Sequence, residues 1–232
     1  MIPISDINPR RKFPIITVTL IIVNTIIFIY QSFIRNPNIL IYRYALIPAN
    51  LFRVGGYEYF KLITSMFLHG NLLHLIGNML YLWVFGDNIE NNLGSFLFVI
   101  FYLLAGIIAG LTHALIYASS NIPTIGASGA IAGVLGAYFY LYPNAKVLAF
   151  VPIFYFFTVI PVPAYIFLGL WFILQLIPGF VYFGKMGSGV AFWAHIGGFI
   201  GGIILIILFG KKQRQNYYKY FDLWKKLRLL QH

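Results

Sequence analysis

The sequence predicts an all-α membrane protein built as a bundle of six transmembrane helices. Three observations predict it. Of the 232 residues, 60% are hydrophobic and only 9% are charged, with a mean hydropathy of +0.84, whereas a soluble domain carries roughly 25% charged residues. Six apolar runs, each close to the ~20 residues that a helical span requires, take up most of the chain. Basic clusters bracket these runs: ten of the sixteen lysines and arginines are Arg10, Arg11, Lys12, Lys211, Lys212, Arg214, Lys219, Lys225, Lys226 and Arg228. Flanking clusters of this kind are the positive-inside signature and attract anionic lipid headgroups. The net charge of +11 therefore points to a lipid bilayer and away from nucleic acid. Two cytoplasmic tails require an even number of spans. The expected organisation is a basic tail over 1–13, a membrane domain over 14–210 and a second basic tail over 211–232, in a plasma membrane with both termini cytoplasmic.

The first apolar run, 14–34, follows the basic cluster as a signal peptide would. It exceeds the usual length of a signal core and lacks a small-residue cleavage site, so it reads as a retained span. Residues 35–60 form a long first loop of mixed polarity. The later spans read as 69–88, 94–117, 127–142, 158–178 and 190–210, with joints at Asn91-Asn92, Ser119-Ser120-Asn121, Pro143-Asn144 and Pro178-Gly179. Pro152, Pro161 and Pro163 blur the start of the fifth span. In the tail after Asn216, Tyr217, Tyr220, Phe221, Trp224 and Leu227 recur at helical spacing, which suits an amphipathic helix on the membrane surface. Glycines punctuate the fourth span (Gly126, Gly129, Gly133, Gly136) and the sixth (Gly197, Gly198, Gly201, Gly202). Small residues at this spacing let helix backbones approach closely in lipid.

The absence of cysteine excludes disulfides, thiolate metal sites and a cysteine nucleophile. The five acids, Asp6, Glu58, Asp87, Glu90 and Asp222, all fall in tails, in the first loop or near the end of the second span. A carboxylate pair for an intramembrane aspartyl protease is therefore missing. His69 and His74 are five residues apart with no glutamate between them, so the zinc-protease pattern fails. Serine and histidine remain. Ser128, in Gly126-Ala127-Ser128-Gly129, opens an apolar helix where backbone N–H groups and the helix dipole favour a developing oxyanion. Gly126, Ala127 and Gly129 leave room for a substrate backbone. His195 begins the sixth span, on the same external side as Ser128 if the span count is even, and a neutral imidazole there would accept the serine proton. His74 and Asn78 share one helix face four residues apart, and both donate hydrogen bonds. Singly, Ser128 reads more readily as a packing residue and His195 as an interhelical hydrogen-bond donor, while the His74 and Asn78 pair reads equally well as structural glue. Their co-occurrence at one membrane depth carries the argument.

These motifs, His69-Gly-Asn-Leu-Leu-His74-Leu-Ile-Gly-Asn78, Gly126-Ala-Ser128-Gly129 and Ala194-His195-Ile-Gly-Gly198 with Gly202, resemble those of the rhomboid family of intramembrane serine proteases. The resemblance implies that Ser128 is the nucleophile and His195 its base. It also implies that His74, Asn78 and the Ser128 backbone N–H hold the oxyanion. It implies further a membrane-associated first loop over 35–60, a structural Glu90, a capping loop after Pro178 and a fifth span that gates substrate entry. Two departures stand out. Ala132 occupies the position where some members stack a tyrosine on the histidine, leaving Trp193 or the neighbouring glycines to orient His195, and the first loop lacks the Trp-Arg pair of some members. The expected activity is cleavage of transmembrane protein substrates near the external membrane face, with no metal and no organic cofactor. The rival readings are a non-catalytic binder or chaperone on the same scaffold, and a small-solute transporter.

Overall fold

The computed structural model describes residues 2–8, 12–153, 156–183 and 190–210. Nine α-helices are described. The long ones are α1 (Ile15–Phe33), α5 (Leu72–Leu93), α6 (Ser95–Ile116), α7 (Ser128–Leu141), α8 (Ala164–Val181) and α9 (Phe192–Phe209). Between α1 and α5 come α2 (Pro37–Tyr44), α3 (Pro48–Arg53), α4 (Lys61–Thr64) and two 3₁₀ turns, Gly56–Phe60 and Ser65–Phe67. Among the described residues four helices, α1, α6, α8 and α9, are long and apolar enough to cross a membrane. Their outer faces carry exposed Ile22, Ile26, Ile100, Ile173, Ile204 and Ile207. An apolar exterior on this scale belongs in lipid rather than water, and the chain is a multi-pass membrane protein. Helix α5 has the length but gathers Asp87, Asn88, Glu90, Asn91 and Asn92 in its last turns. Helix α7, with 14 residues, spans only about 21 Å.

The fold is not wholly helical. Strands β1 (Ile2–Asp6), β2 (Lys146–Ile153) and β3 (Phe156–Pro163) form an antiparallel sheet in the order β1-β2-β3. The register pairs Ile2 with Phe150 and Val147 with Val162. Residues 2–6, read from sequence as part of a tail, therefore supply a strand. The fifth span begins at Ala164 and not at 158, because 156–163 belongs to the hairpin. The reason is legible afterwards. A continuous apolar run fits strand or buried helix equally well, and here it is β-branched and rich in proline. Pro161 and Pro163 lie on edge strand β3, and Pro152 lies past the stretch of β2 that β1 covers, the places where a sheet tolerates a residue without an N–H. Pro178, read as a joint, sits inside α8, which runs on to Val181. Residues 184–189 of the expected capping loop and the whole amphipathic tail lie outside the described residues.

Helix α7 is the centre of the bundle, buried from Gly129 to Tyr138. Its small residues explain how it fits. A Cβ added to Gly198 of α9 would run into the Gly129 carbonyl, one on Gly202 into the Gly133 carbonyl, and one on Gly136 into the Phe199 carbonyl. On the opposite side, a Cβ on Gly129 would stand 2.7 Å from Cβ of Ala109, and one on Gly133 2.5 Å from Cβ of Ala105. Backbone therefore meets backbone along α7 and α9, and α6 closes the other face. Where lipid supplies no hydrophobic drive for association, this close van der Waals contact holds helices together. At the opposite end from Ser128, the Glu90 carboxylate accepts hydrogen bonds from the backbone N–H groups of Ile16 (3.0 Å) and Thr17 (2.8 Å). It also accepts from the hydroxyls of Thr17 and Ser95, each at 2.8 Å. Glu90 thus caps the orphan N–H groups at the start of α1, a structural place for this acid.

Candidate active site

The α7–α9 contact places two helix N-termini side by side. Ser128 is the first residue of α7 and His195 lies in the first turn of α9. The Ser128 hydroxyl oxygen and His195 Nε2 lie 2.8 Å apart, at hydrogen-bond distance. As the first helical residue, Ser128 also presents a backbone N–H that has no carbonyl partner within its own helix.

The loop before α7 is fixed from several sides. Leu46 and Thr124 exchange backbone hydrogen bonds of 3.1 and 2.7 Å, and the Ala49 N–H donates to the Ser120 carbonyl at 2.9 Å. The Gly126 N–H donates to the Ser65 carbonyl at 2.9 Å. The first loop is thus a brace for the loop that leads into Ser128. Gly126 has φ +122°, and a Cβ there would lie 2.8 Å from His74 Nε2 and 3.7 Å from Ser128 Oγ. Only glycine fits that backbone and that gap, so His74 and Ser128 face each other across it.

His74 and Asn78 lie on one face of α5, whose N-cap Asn71 accepts from the His74 N–H at 2.8 Å. Asn78 is buried, and its side-chain nitrogen pairs with His69 Nε2 at 3.0 Å. His69 is fully buried and its backbone is held by Gln31 of α1: Gln31 Nε2 donates to the His69 carbonyl at 2.8 Å, and the His69 N–H donates to Gln31 Oε1 at 3.3 Å. Ser128, His195, His74 and Asn78 line one cavity of about 860 Å³, together with Gly70 and His113. Ala127 and Gly129 are buried and do not line it.

His113, for which the sequence offers no partner, meets the Thr124 hydroxyl at 3.1 Å at the cavity wall. His195 is not oriented by Trp193, whose indole N–H donates instead to the Gly179 carbonyl at 3.1 Å. Two residues of α8 flank His195 that the sequence reading missed. Gln175 Oε1 lies 2.8 Å from Nδ1, and the Trp171 ring sits 5.9 Å from the imidazole centroid. In the sequence Gln175 stands out only as the one amide of an apolar helix, and Trp171 is one of several aromatics there. Ala132 is fully buried on α7. No cluster of metal-ligating side chains occurs among the described residues.

Residues 56–212 match the family model described as the Rhomboid domain. The chain is 40% identical over 95 residues to the mitochondrial Rhomboid protein 1 of Saccharomyces cerevisiae, covering 39% of this chain and 28% of that one. It is 40% identical over 84 residues to the Rhomboid protease GluP of Bacillus subtilis, covering 36% of this chain and 16% of the relative. The putative rhomboid protease YdcA of the same bacterium is 29% identical over 135 residues, covering 56% of this chain and 64% of the relative. The matched segments thus span under a third of the first two relatives. With the domain match extending over more than half of its length, the chain belongs to the rhomboid family.

Proposed function

We propose that this chain is an intramembrane serine endopeptidase that cleaves transmembrane protein substrates. One observation carries the reading: a serine hydroxyl 2.8 Å from an imidazole nitrogen, at a helix N-terminus, inside a cavity shared with His74 and Asn78. His195 Nε2 takes the proton of Ser128 as its oxygen attacks the scissile carbonyl. The tetrahedral oxyanion is held by the Ser128 backbone N–H, His74 and the free N–H of the Asn78 amide. Collapse expels the amine, which leaves with the proton from His195, and water then hydrolyses the acyl-enzyme by the same proton path. No step calls for a metal or an organic cofactor.

The six long helices are proposed to cross a plasma membrane, with both termini cytoplasmic and the cavity opening to the outside. Residues 14–210 together with strand β1 form the protease domain, and the basic clusters that begin at Arg10 and at Lys211 attract anionic lipid. The short α7, with 14 residues beside the 22 of α5 and of α6, supports a reaction centre recessed below the external face. A substrate helix has to unwind to offer a bond there, which favours cleavage near small or helix-breaking residues. The test is labelling of the purified protein with a serine-reactive fluorophosphonate, alongside cleavage of a model transmembrane substrate. Both are expected in the wild type and absent from Ser128→Ala and His195→Ala. A folded wild type that neither labels nor cleaves would favour the non-catalytic binder, and labelling that survives Ser128→Ala would mean a different nucleophile.

A further inference from the structure

We propose that Gln175 is a positioning residue that sets the tautomer of His195 and thereby presents a basic nitrogen to Ser128. This rests on the protease reading above. A neutral imidazole carries one proton on two nitrogens, and only the nitrogen bearing the lone pair can act as a base. A serine hydroxyl next to Nε2 does not by itself choose between the two forms, because it can donate or accept. Gln175 chooses. Its Oε1 lies 2.8 Å from Nδ1, and an amide oxygen only accepts, so Nδ1 holds the proton and Nε2 faces Ser128 with its lone pair.

The orientation of the carboxamide is fixed by its other end. Gln175 Nε2 donates to the Trp171 carbonyl one turn back on α8, at 3.4 Å. A flipped amide would set carbonyl against carbonyl there and would turn its N–H groups toward Nδ1, selecting the tautomer in which Nε2 is already protonated. Trp171 also covers the imidazole from the side. One helix turn of α8 therefore supplies both the wall and the acceptor, in place of a side chain at Ala132, which offers only a methyl. A carboxamide does this without placing a charge inside the bilayer, where a carboxylate is costly. The arrangement also ties the base to the seating of α8, whose Trp171 and Phe172 rings stack on Phe199 of α9 at 6.1 and 4.5 Å. Outward movement of α8 would carry Oε1 away from Nδ1.

The experiment is the rate of fluorophosphonate labelling of the full chain in detergent, from about pH 5 to pH 9, with the melting temperature measured on the same samples. Gln175→Met keeps the volume and removes the acceptor, and its rate is expected to fall about 10- to 100-fold with little change in melting temperature. Gln175→Glu restores the acceptor and adds a charge that stabilises the imidazolium. Its rate is expected to recover toward wild type while the acid limb of the profile moves to higher pH. A Gln175→Met variant that labels like the wild type overturns this role and leaves the protease reading standing. So does a parallel loss of rate and melting temperature in both variants with an unmoved pH profile, which would make Gln175 merely structural. A folded wild type that labels at no pH overturns the protease reading, and this role with it.

Discussion

At the scale of single residues, the proposed oxyanion side of the candidate site rests on a relay of backbone and side-chain contacts that starts on α1. Gln31 holds the His69 backbone, His69 Nε2 pairs with the Asn78 amide, and Asn78 lines the cavity. Removing one preorganised oxyanion donor costs about 10²–10³ in rate, so Asn78→Ala should lower kcat by roughly that factor with the chain still folded, read as substrate cleavage in liposomes. Gly126→Ala should be more damaging, because it strains a backbone at φ +122° and drives a methyl into the His74 ring. Of this site, Ser128, His195, His74 and Asn78 were legible in the sequence, since polar side chains at one membrane depth are costly unless used. Gln175 and Gln31 were not. Gln175 is the one amide of α8 and Gln31 shares α1 with Asn24, and only the folded chain says which neighbour each serves.

At the scale of elements, the glycines of α7 and α9 do more than loosen two helices. They set the distance between the helix starts that bear Ser128 and His195. Gly198→Ala is therefore expected to separate α7 from α9, since its methyl has only the Gly129 carbonyl to occupy. Overpacking of this kind costs about 1–3 kcal/mol, and the melting temperature should fall together with fluorophosphonate labelling. Gly77 of α5 makes the contrast. A Cβ there meets nothing within 4 Å, so Gly77→Ala should leave stability unchanged or raise it by up to about 1 kcal/mol through helix propensity. Equal effects at the two positions would mean that close approach is not what these glycines provide. The helices themselves were readable from apolar runs of the right length. The hairpin was not: in an apolar run without alternation, the proline pattern is the only local mark of strand edges, and it equally marks a helix that starts late.

At the scale of the whole molecule, the sheet ties the start of the chain to the end of the bundle away from Ser128. Asp6 of β1 is the anchor. It accepts from the Tyr138 hydroxyl of α7 at 2.6 Å and from Asn88 of α5 at 3.0 Å, while Asn8 also donates to Tyr138 at 2.8 Å. Burial pushes the Asp6 carboxyl up to about 7; the nearby Asp87 adds to the rise, and donation from Tyr138, Asn8 and Asn88 only partly offsets it. The sign of the linkage follows. In the unfolded chain the same carboxyl ionises near 3.8, so between about pH 4 and pH 7 the folded protein binds the extra proton. Its contribution to stability is full below that window and is lost as the pH rises through it. The melting temperature of the wild type in detergent should therefore decline across this range relative to that of Asp6→Asn, which keeps an acceptor for Tyr138 but does not titrate. Two curves that run parallel from pH 4 to pH 7 would show that Asp6 is already ionised in the folded chain. The anchor would then be a simple hydrogen-bonded carboxylate. If instead the curves diverge and labelling of Ser128 follows the melting temperature, the N-terminal strand and the site at the far end of α7 share one cooperative unit, with Tyr138 and Ser128 at opposite ends of the same buried helix.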